Sequence, residues 1–147
     1  MSPPRNSFVE GWPRCAIYTR AVGAPTLEQE RRALTRQRAV CAAFIATHLG
    51  WRLLPTRYDD GGCAGNPVDR PALARLLADL NAGALEVVVA TTIDRLGTSL
   101  LDAVRWIERF ESAGAVFRTA APVVIRVEPP AHGRRRGSMR FPFEENL

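Results

Sequence analysis

Arginine and aspartate recur where short apolar stretches of the sequence end. Arg20 closes the stretch that begins at Cys15, and Asp94 and Arg95 follow a second stretch that ends at Ile93. Arg70 follows a loop rich in turn residues. Guanidinium groups donate paired hydrogen bonds to phosphate oxygens and stabilise the charge that develops in phosphoryl transfer. These four residues therefore form a candidate phosphate-binding site. The alternative, that each is a solvated or ion-paired loop charge, stays open.

Other chemistries are excluded by residues that the chain lacks. All 20 basic residues are arginine, so Schiff-base and P-loop lysine chemistry are impossible; a GC-rich genome is the plainer explanation of this bias. The three cysteines are far apart and only two histidines occur, which does not complete a zinc pattern. We expect inert thiols in a reducing compartment and no metal.

Composition indicates one soluble domain. The chain has 147 residues, 46% of them hydrophobic, and a net charge of +5. Its first residues contain no apolar signal core, and the longest apolar stretch, 85–93, is too short to span a bilayer. We expect a cytoplasmic protein with no membrane partner. Residues 1–14 are predicted to be a flexible arm, 15–121 the folded domain and 122–147 a Pro/Arg-rich tail, in which 123–127 could add a strand.

The elements that position the candidate site follow from periodicity. Apolar runs predict strands over 15–22, 51–58, 85–93 and 115–118. Three helices alternate with them, capped by Thr26 with Gln29, by Asp69, and by Ser99 with Asp102. The order βαβαβαβ predicts an α/β fold, a mainly parallel sheet with helices on both faces. The expected core faces of the helices are Leu34, Cys41, Phe44, Ile45 and His48; Leu73, Leu76, Leu77 and Leu80; and Leu100, Leu101, Val104, Ile107 and Phe110.

Such a sheet gathers the candidate residues at one edge, because ligands of open parallel sheets bind beyond the carboxyl ends of the strands. Arg20 ends the first strand and Asp94 and Arg95 end the third. The loop after the second strand brings Arg70 to the same side. The same loop carries three carboxylates, those of Asp59, Asp60 and Asp69.

Four motifs occur in order along the chain. They are Ala16-Ile-Tyr-Thr-Arg20, Gln37-Arg38 with Cys41, Tyr58-Asp-Asp-Gly61 leading to Asp69-Arg-Pro-Ala-Leu73, and Ile93-Asp-Arg-Leu96. In order and spacing this set resembles the catalytic domain of the serine recombinases, the resolvase/invertase family, from about Cys15 to Thr119. The resemblance implies the resolvase-like three-layer fold.

The resemblance also implies roles for the candidate residues. In that family a serine after the first strand attacks a DNA phosphodiester and forms a phosphoserine link. Arg20, Arg70 and Arg95 match the arginines that hold the scissile phosphate, and Asp94 matches the supporting aspartate. DNA is the implied partner, with a homo-oligomer or a full-length recombinase as a further one. No metal or nucleotide cofactor is implied, because the protein–DNA ester stores the bond energy.

The sequence departs from the family pattern in three places. The nucleophilic serine is replaced by Val22, or by Gly23 if one residue is inserted, and Thr98 stands where a further arginine is usual. The long helix and the helix-turn-helix domain that normally follow are not recognisable. Among nearby hydroxyls, Thr19 is expected to point away from the site and Thr26 to cap a helix. The sequence thus leaves open a strand-exchange enzyme, inactive alone, and a non-catalytic remnant that binds DNA or a recombinase; a flavodoxin-like phosphate-binding domain is a weaker alternative.

Overall fold

The computed structural model describes residues 13–61 and 70–121. Five strands and three helices alternate along the chain, with a single 3-10 turn at Ile93–Arg95 before the last helix. In chain order they are β1 (Arg14–Arg20), α1 (Leu27–Ala46), β2 (Arg52–Leu53), β3 (Tyr58–Asp60), α2 (Pro71–Asn81), β4 (Val87–Ala90), α3 (Leu100–Ser112) and β5 (Val116–Thr119).

The strands form one parallel sheet centred on β1 and β4. Strand β1 pairs with β4, and β4 pairs with β5. The other edge of β1 is shared: β2 pairs with its first two residues and β3 with its last three. One strand over 51–58 was predicted, and that prediction was wrong. The chain bends after Leu54 because Pro55 has no N–H to donate to a ladder, and pairing resumes at Tyr58.

Helices cover both faces of the sheet, as predicted. On one face Cys41 and Ile45 of α1 pack against alternate residues of β1 and β4. On the other face the leucines of α2 and Phe110 of α3 pack around Tyr18 and Val88. Alternate residues of a strand point to opposite faces, so each strand contributes to both layers of the core. The three-layer α/β fold is confirmed.

Two of the three predicted helix caps are confirmed. The Thr26 hydroxyl accepts from the Gln29 amide and the Ser99 hydroxyl from the Asp102 amide, each at 3.1 Å. Asp69, predicted to cap α2, lies outside the described residues, as do the arm 1–12 and the tail 122–147. Arg70 occupies the N-cap position of α2 without a side-chain capping bond.

The buried faces of α1 and α3 differ from the prediction. In α1 the buried residues are Ala33, Gln37, Cys41 and Ile45, whose regular spacing of four places them on one line. In α3 they are Ala103 and Phe110, while Leu101 and Val104 are 61% and 38% exposed. The small side chain of Ala103 lets α3 approach the sheet closely, and this turns Leu101 and Val104 outward.

The helix α2 matches its predicted stripe, with Leu73, Leu76 and Leu80 buried and Leu77 half-buried. None of the helices in the described ranges combines the length and apolar character needed to span a bilayer.

Candidate phosphate-binding site

The end of β1 is held in place by one buried side-chain amide. Gln37 of α1 accepts a hydrogen bond from the Arg20 backbone N–H at 3.0 Å and donates one to the Arg20 carbonyl at 2.8 Å. One residue further on, the Ala21 amide donates to the Asp60 carbonyl at 3.0 Å. The backbone from which the Arg20 side chain projects is thus fixed from α1 and from β3.

Arg95 reaches the same point from the neighbouring strand. It lies on the 3-10 turn that follows β4, and its Nη1 donates to the Arg20 carbonyl at 3.2 Å. Arg20 is 5% exposed and Arg95 is half-buried. The structure therefore brings together these two candidates from the sequence, at the carboxyl edge of the sheet.

Asp94 precedes Arg95 on the same turn. The Thr92 hydroxyl donates to its Oδ1, so the carboxylate is bonded to the residue that begins the turn. This local bond ties Asp94 to the start of the turn that carries Arg95.

Arg70 lies at the same edge, in a dense set of contacts. Its Nη1 donates to the Leu96 carbonyl, and its Nη2 lies 3.1 Å from the Asp102 carboxylate. The guanidinium also sits over the Trp106 ring, 5.3 Å from its centroid. Only 9% of the side chain is exposed. All four sequence-predicted residues thus occur at one edge of the sheet, but Arg70 faces α3 and the turn.

Asp60 has a structural position that the sequence did not reveal. It was expected in a loop beyond the second strand, yet it ends β3 and is 1% exposed. Its carboxylate accepts hydrogen bonds from the Ala72 and Leu73 amides, at 2.8 and 3.0 Å, and from the Tyr18 hydroxyl at 2.7 Å. Asp60 therefore satisfies free N–H groups at the start of α2, a task assigned to Asp69 from the sequence.

Tyr18 is held as a hydrogen-bond donor. Its burial, together with the charge and the hydrogen bond of Asp60, raises the pKa of the hydroxyl far above its ordinary value. The positive charges of Arg20 and Arg70 act in the opposite direction on this pKa. A protonated, fully buried tyrosine stabilises the fold through its hydrogen bond and does not act as a nucleophile.

Hydroxyl groups around the site have tasks within the fold. Thr19 is fully buried and donates to Asp59 at 2.6 Å, while Thr26 and Ser99 cap their helices. After Arg20 the chain presents Val22, 45% exposed, and then Gly23 at φ +75°. The side chains at these two positions carry no hydroxyl group.

Three residues that matter here were missed or given another role at the sequence level. Gln37 was noted only as part of a motif and Asp102 only as a helix-capping partner, and Trp106 was not among the predicted site residues. The spacing of Asp102 and Trp106, four residues apart on α3, was the available signal, because such residues share one face of a helix. Local sequence does not distinguish a buried glutamine, such as Gln37, from a glutamine on the surface. Within 13–61 and 70–121 no three metal-ligating side chains are grouped to hold a metal ion.

The described ranges thus form an open, parallel α/β sheet with Arg20, Arg70 and Arg95 at its carboxyl edge. Residues 15–134 match the family model described as Resolvase, N terminal domain. The chain belongs to this family, and its fold is that of a serine recombinase catalytic domain. A comparison of the sequence with curated proteins found no match.

Solved structures agree with the assignment. The N-terminal catalytic domain of TP901-1 integrase is similar at 25% identity with a TM-score of 0.57, over 73% of this chain and 76% of that one. The C-terminal catalytic domain of ISC1926 TnpA, an IS607-like serine recombinase, is similar at 23% sequence identity with a TM-score of 0.58. The match covers 75% of this chain and 71% of that one. A resolvase family site-specific recombinase from Streptococcus pneumoniae is similar at 17% sequence identity with a TM-score of 0.57, over 72% of each chain. The family assignment disfavours the flavodoxin-like alternative.

Proposed function

We propose that this chain is a serine recombinase catalytic domain that binds the DNA backbone without forming a phosphoserine bond. The observation that carries the proposal is the end of β1. There the Arg95 guanidinium donates to the Arg20 carbonyl, while the residue two positions after Arg20 is the exposed, apolar Val22. The phosphate-binding groups are kept and the attacking oxygen is not.

The chemistry of phosphoserine formation requires that oxygen. A hydroxyl must lose its proton and attack phosphorus in line with the leaving 3′ or 5′ oxygen of the DNA strand. Arginine can neutralise the phosphate charge, but it has no atom that forms the ester. Among the hydroxyls at this edge, those of Tyr18 and Thr19 are fully buried and hydrogen-bonded to carboxylates, and the half-buried Thr92 hydroxyl donates to Asp94. Strand exchange by this chain alone is therefore not part of the proposal.

The two arginines divide the work according to their exposure. Arg95 is half-buried and makes the direct contact with a phosphate, whereas Arg20, 5% exposed, supplies a second positive charge behind it. Binding of this kind is electrostatic and independent of base sequence, so it weakens steeply as salt rises. The proposal places the protein with DNA in the cytoplasm, as expected from its sequence.

A salt titration of binding to a short DNA duplex tests the proposal. We expect Arg95→Ala to lower the slope of log K against log salt by about 0.9, the value for one phosphate contact. Arg52→Ala is the matched control, because Arg52 is an exposed arginine at the start of β2, the opposite edge of the sheet. Equal effects of the two variants, or no binding by the wild type at low salt, would overturn the proposal.

A second copy of the chain, or a full-length recombinase, is proposed as a further partner on a separate observation. Leu101 and Val104 lie one turn apart on α3 and are 61% and 38% exposed. Apolar side chains adjacent on one helix face favour burial against another surface. Sedimentation of the wild type and of Leu101→Gln over a range of concentrations tests this: association that the substitution abolishes is expected, and a monomer throughout argues against self-association.

A further inference from the structure

The contacts of Arg70 differ in kind from those of a phosphate ligand. One nitrogen donates to the Leu96 carbonyl and another to the Asp102 carboxylate, and the plane of the group lies over Trp106. The side chain is nine-tenths buried. A guanidinium in such surroundings has two of its nitrogens committed to the fold, and little surface remains for DNA.

The partners of Arg70 follow the turn that carries Asp94 and Arg95. Leu96 follows Arg95 directly, and Asp102 lies in the first turn of α3. The Asp102 carboxylate also accepts from the Thr98 amide at 3.1 Å, so one oxygen joins the chain between the turn and α3 to Arg70. At Gly97 a Cβ would lie 2.7 Å from both Ala103 N and Asp102 Oδ2, which shows how closely this segment is folded.

We infer that Arg70, through Asp102 and Leu96, is a positioning residue that fixes the turn presenting Arg95 and does not itself contact the phosphate. This deepens the proposed function by assigning the direct contact to Arg95, and it rests on that proposal only for the DNA readout. The ion pair joins the N-cap residue of α2 to the first turn of α3, and the same guanidinium bonds to the Leu96 carbonyl at the end of the 3-10 turn. Loss of these contacts frees the turn without altering β1 or β4.

Hydrogen exchange tests the structural part without DNA. The Arg95 and Leu96 amides donate to Thr92 and Ile93 within the turn, at 3.3 and 3.1 Å. In Arg70→Gln and in Asp102→Asn we expect exchange of these two amides to quicken about fivefold or more, while the amides of β1 and β4 keep their rates. Glu108→Gln removes the same charge from an exposed position on α3 and is the control for Asp102→Asn. Unchanged turn amides in both variants would overturn the inference.

A double-mutant cycle tests the functional part. If Arg70 acts through Arg95, Arg70→Gln weakens DNA binding in the wild-type background and has no further effect in Arg95→Ala. If Arg70 contacts DNA itself, its effect persists in that background, and Asp102→Asn then strengthens binding more than Glu108→Gln does, because it releases the guanidinium. Either of those two results would overturn the inference.

The two proposals fail in different ways. If the wild type does not bind DNA but the turn amides exchange faster in the variants, the proposed function fails and the positioning role of Arg70 stands. If DNA binding depends on Arg95 but the turn amides are unchanged, the proposed function stands and the positioning role fails. Should Arg70→Gln not fold, Asp102→Asn, which keeps the guanidinium, gives the same readouts.

Discussion

Single side chains at the carboxyl edge of the sheet have distinct tasks. Gln37 fixes the backbone of Arg20, Asp60 joins β1 and β3 to the start of α2, and Arg70 joins the 3-10 turn to α3. Among the four candidate residues, Arg95 combines a positive charge with partial exposure and a hydrogen bond to the Arg20 carbonyl. Arg70, which the sequence predicts as a phosphate-binding residue, thus makes contacts that stabilise the fold at this edge.

Replacing Asp60 is expected to be among the most destabilising substitutions at this edge. Asp60→Ala leaves two buried amides and the Tyr18 hydroxyl without an acceptor, so we expect the free energy of unfolding to fall by about 3 kcal/mol. Asp59→Ala is the neighbouring control, because Asp59 is half-buried and accepts from Thr19; about 1 kcal/mol is expected there. Urea denaturation measures both. Equal losses would contradict the assignment of Asp60 as the cap of α2.

The two described cysteines are expected to be inert in the folded protein. Burial raises the pKa of the Cys15 thiol to about 11 and that of the Cys41 thiol to about 12. At pH 8 neither is a thiolate to a useful extent. Alkylation followed by peptide mapping should leave both unmodified in buffer and modify both in denaturant. Rapid labelling of Cys41 in native buffer would contradict the packing of α1 on the sheet.

The same shifts fix the sign of the pH dependence of stability. Each folded-state pKa lies above the ordinary thiol value of 9.0, so the thiols' contribution is fully present below that pH. It is lost as pH rises through about 11 and about 12. We expect the alkaline loss of stability to be smaller in Cys41→Ala than in the wild type, as measured by urea denaturation across that range. A parallel loss in both proteins would contradict it.

At the scale of elements, the segment between β4 and α3 is packed so closely that it has little room for larger side chains. The 3-10 turn, Gly97 and the Ser99 cap follow one another within a few residues, and each contributes to where Arg95 points. The helix α3 begins immediately behind this turn and carries both Asp102 and Trp106, which hold Arg70. The turn and α3 therefore act as one unit.

A methyl group at Gly97 should disturb that unit. In Gly97→Ala the new Cβ meets backbone of Ala103 and the Asp102 carboxylate at 2.7 Å, so the chain must shift. We expect a loss of about 1–3 kcal/mol in the free energy of unfolding, the usual effect of overpacking, and faster exchange of the Arg95 amide. Ser99→Ala, which removes only the cap, is expected to cost about 1 kcal/mol. A Gly97→Ala protein as stable as the wild type would show that the segment is looser than described.

Much of the fold follows from the sequence, and the exceptions have physical causes. The alternation of apolar runs with capped amphipathic segments predicts the parallel sheet, the two helical layers and the caps at Thr26 and Ser99. The second strand was wrongly predicted as continuous because Pro55, which cannot donate to a ladder, was included in the apolar run; this break was visible in the sequence. The outward positions of Leu101 and Val104 depend on how closely Ala103 approaches the sheet.

The candidate site was predictable in place but not in detail. The rule that strands deliver ligands at their carboxyl ends puts Arg20, Arg70, Asp94 and Arg95 at one edge. Which guanidinium is committed to the fold depends on distant partners such as Asp102, 32 residues from Arg70, and these long-range contacts have no local signature.

For the whole molecule, the central claim is that the family's phosphate-binding edge persists without an attacking oxygen. The sheet and both helical layers match the fold of the resolvase family, while positions 22 and 23 hold valine and glycine. Restoring a serine is most informative at Val22, which is exposed. Gly23 adopts φ +75°, where a serine adds a strain of about 1–2 kcal/mol.

Covalent capture on nicked DNA tests this claim most directly. The wild type, Val22→Ser and Gly23→Ser are incubated with a suicide substrate, denatured, and separated to detect a protein–DNA band, with an active serine recombinase on its own site as the positive control. The wild type is predicted to give no covalent band while still retarding DNA in a native gel at low salt. A covalent band from the wild type, with the modified peptide mapped to a hydroxyl of this chain, would contradict the claim.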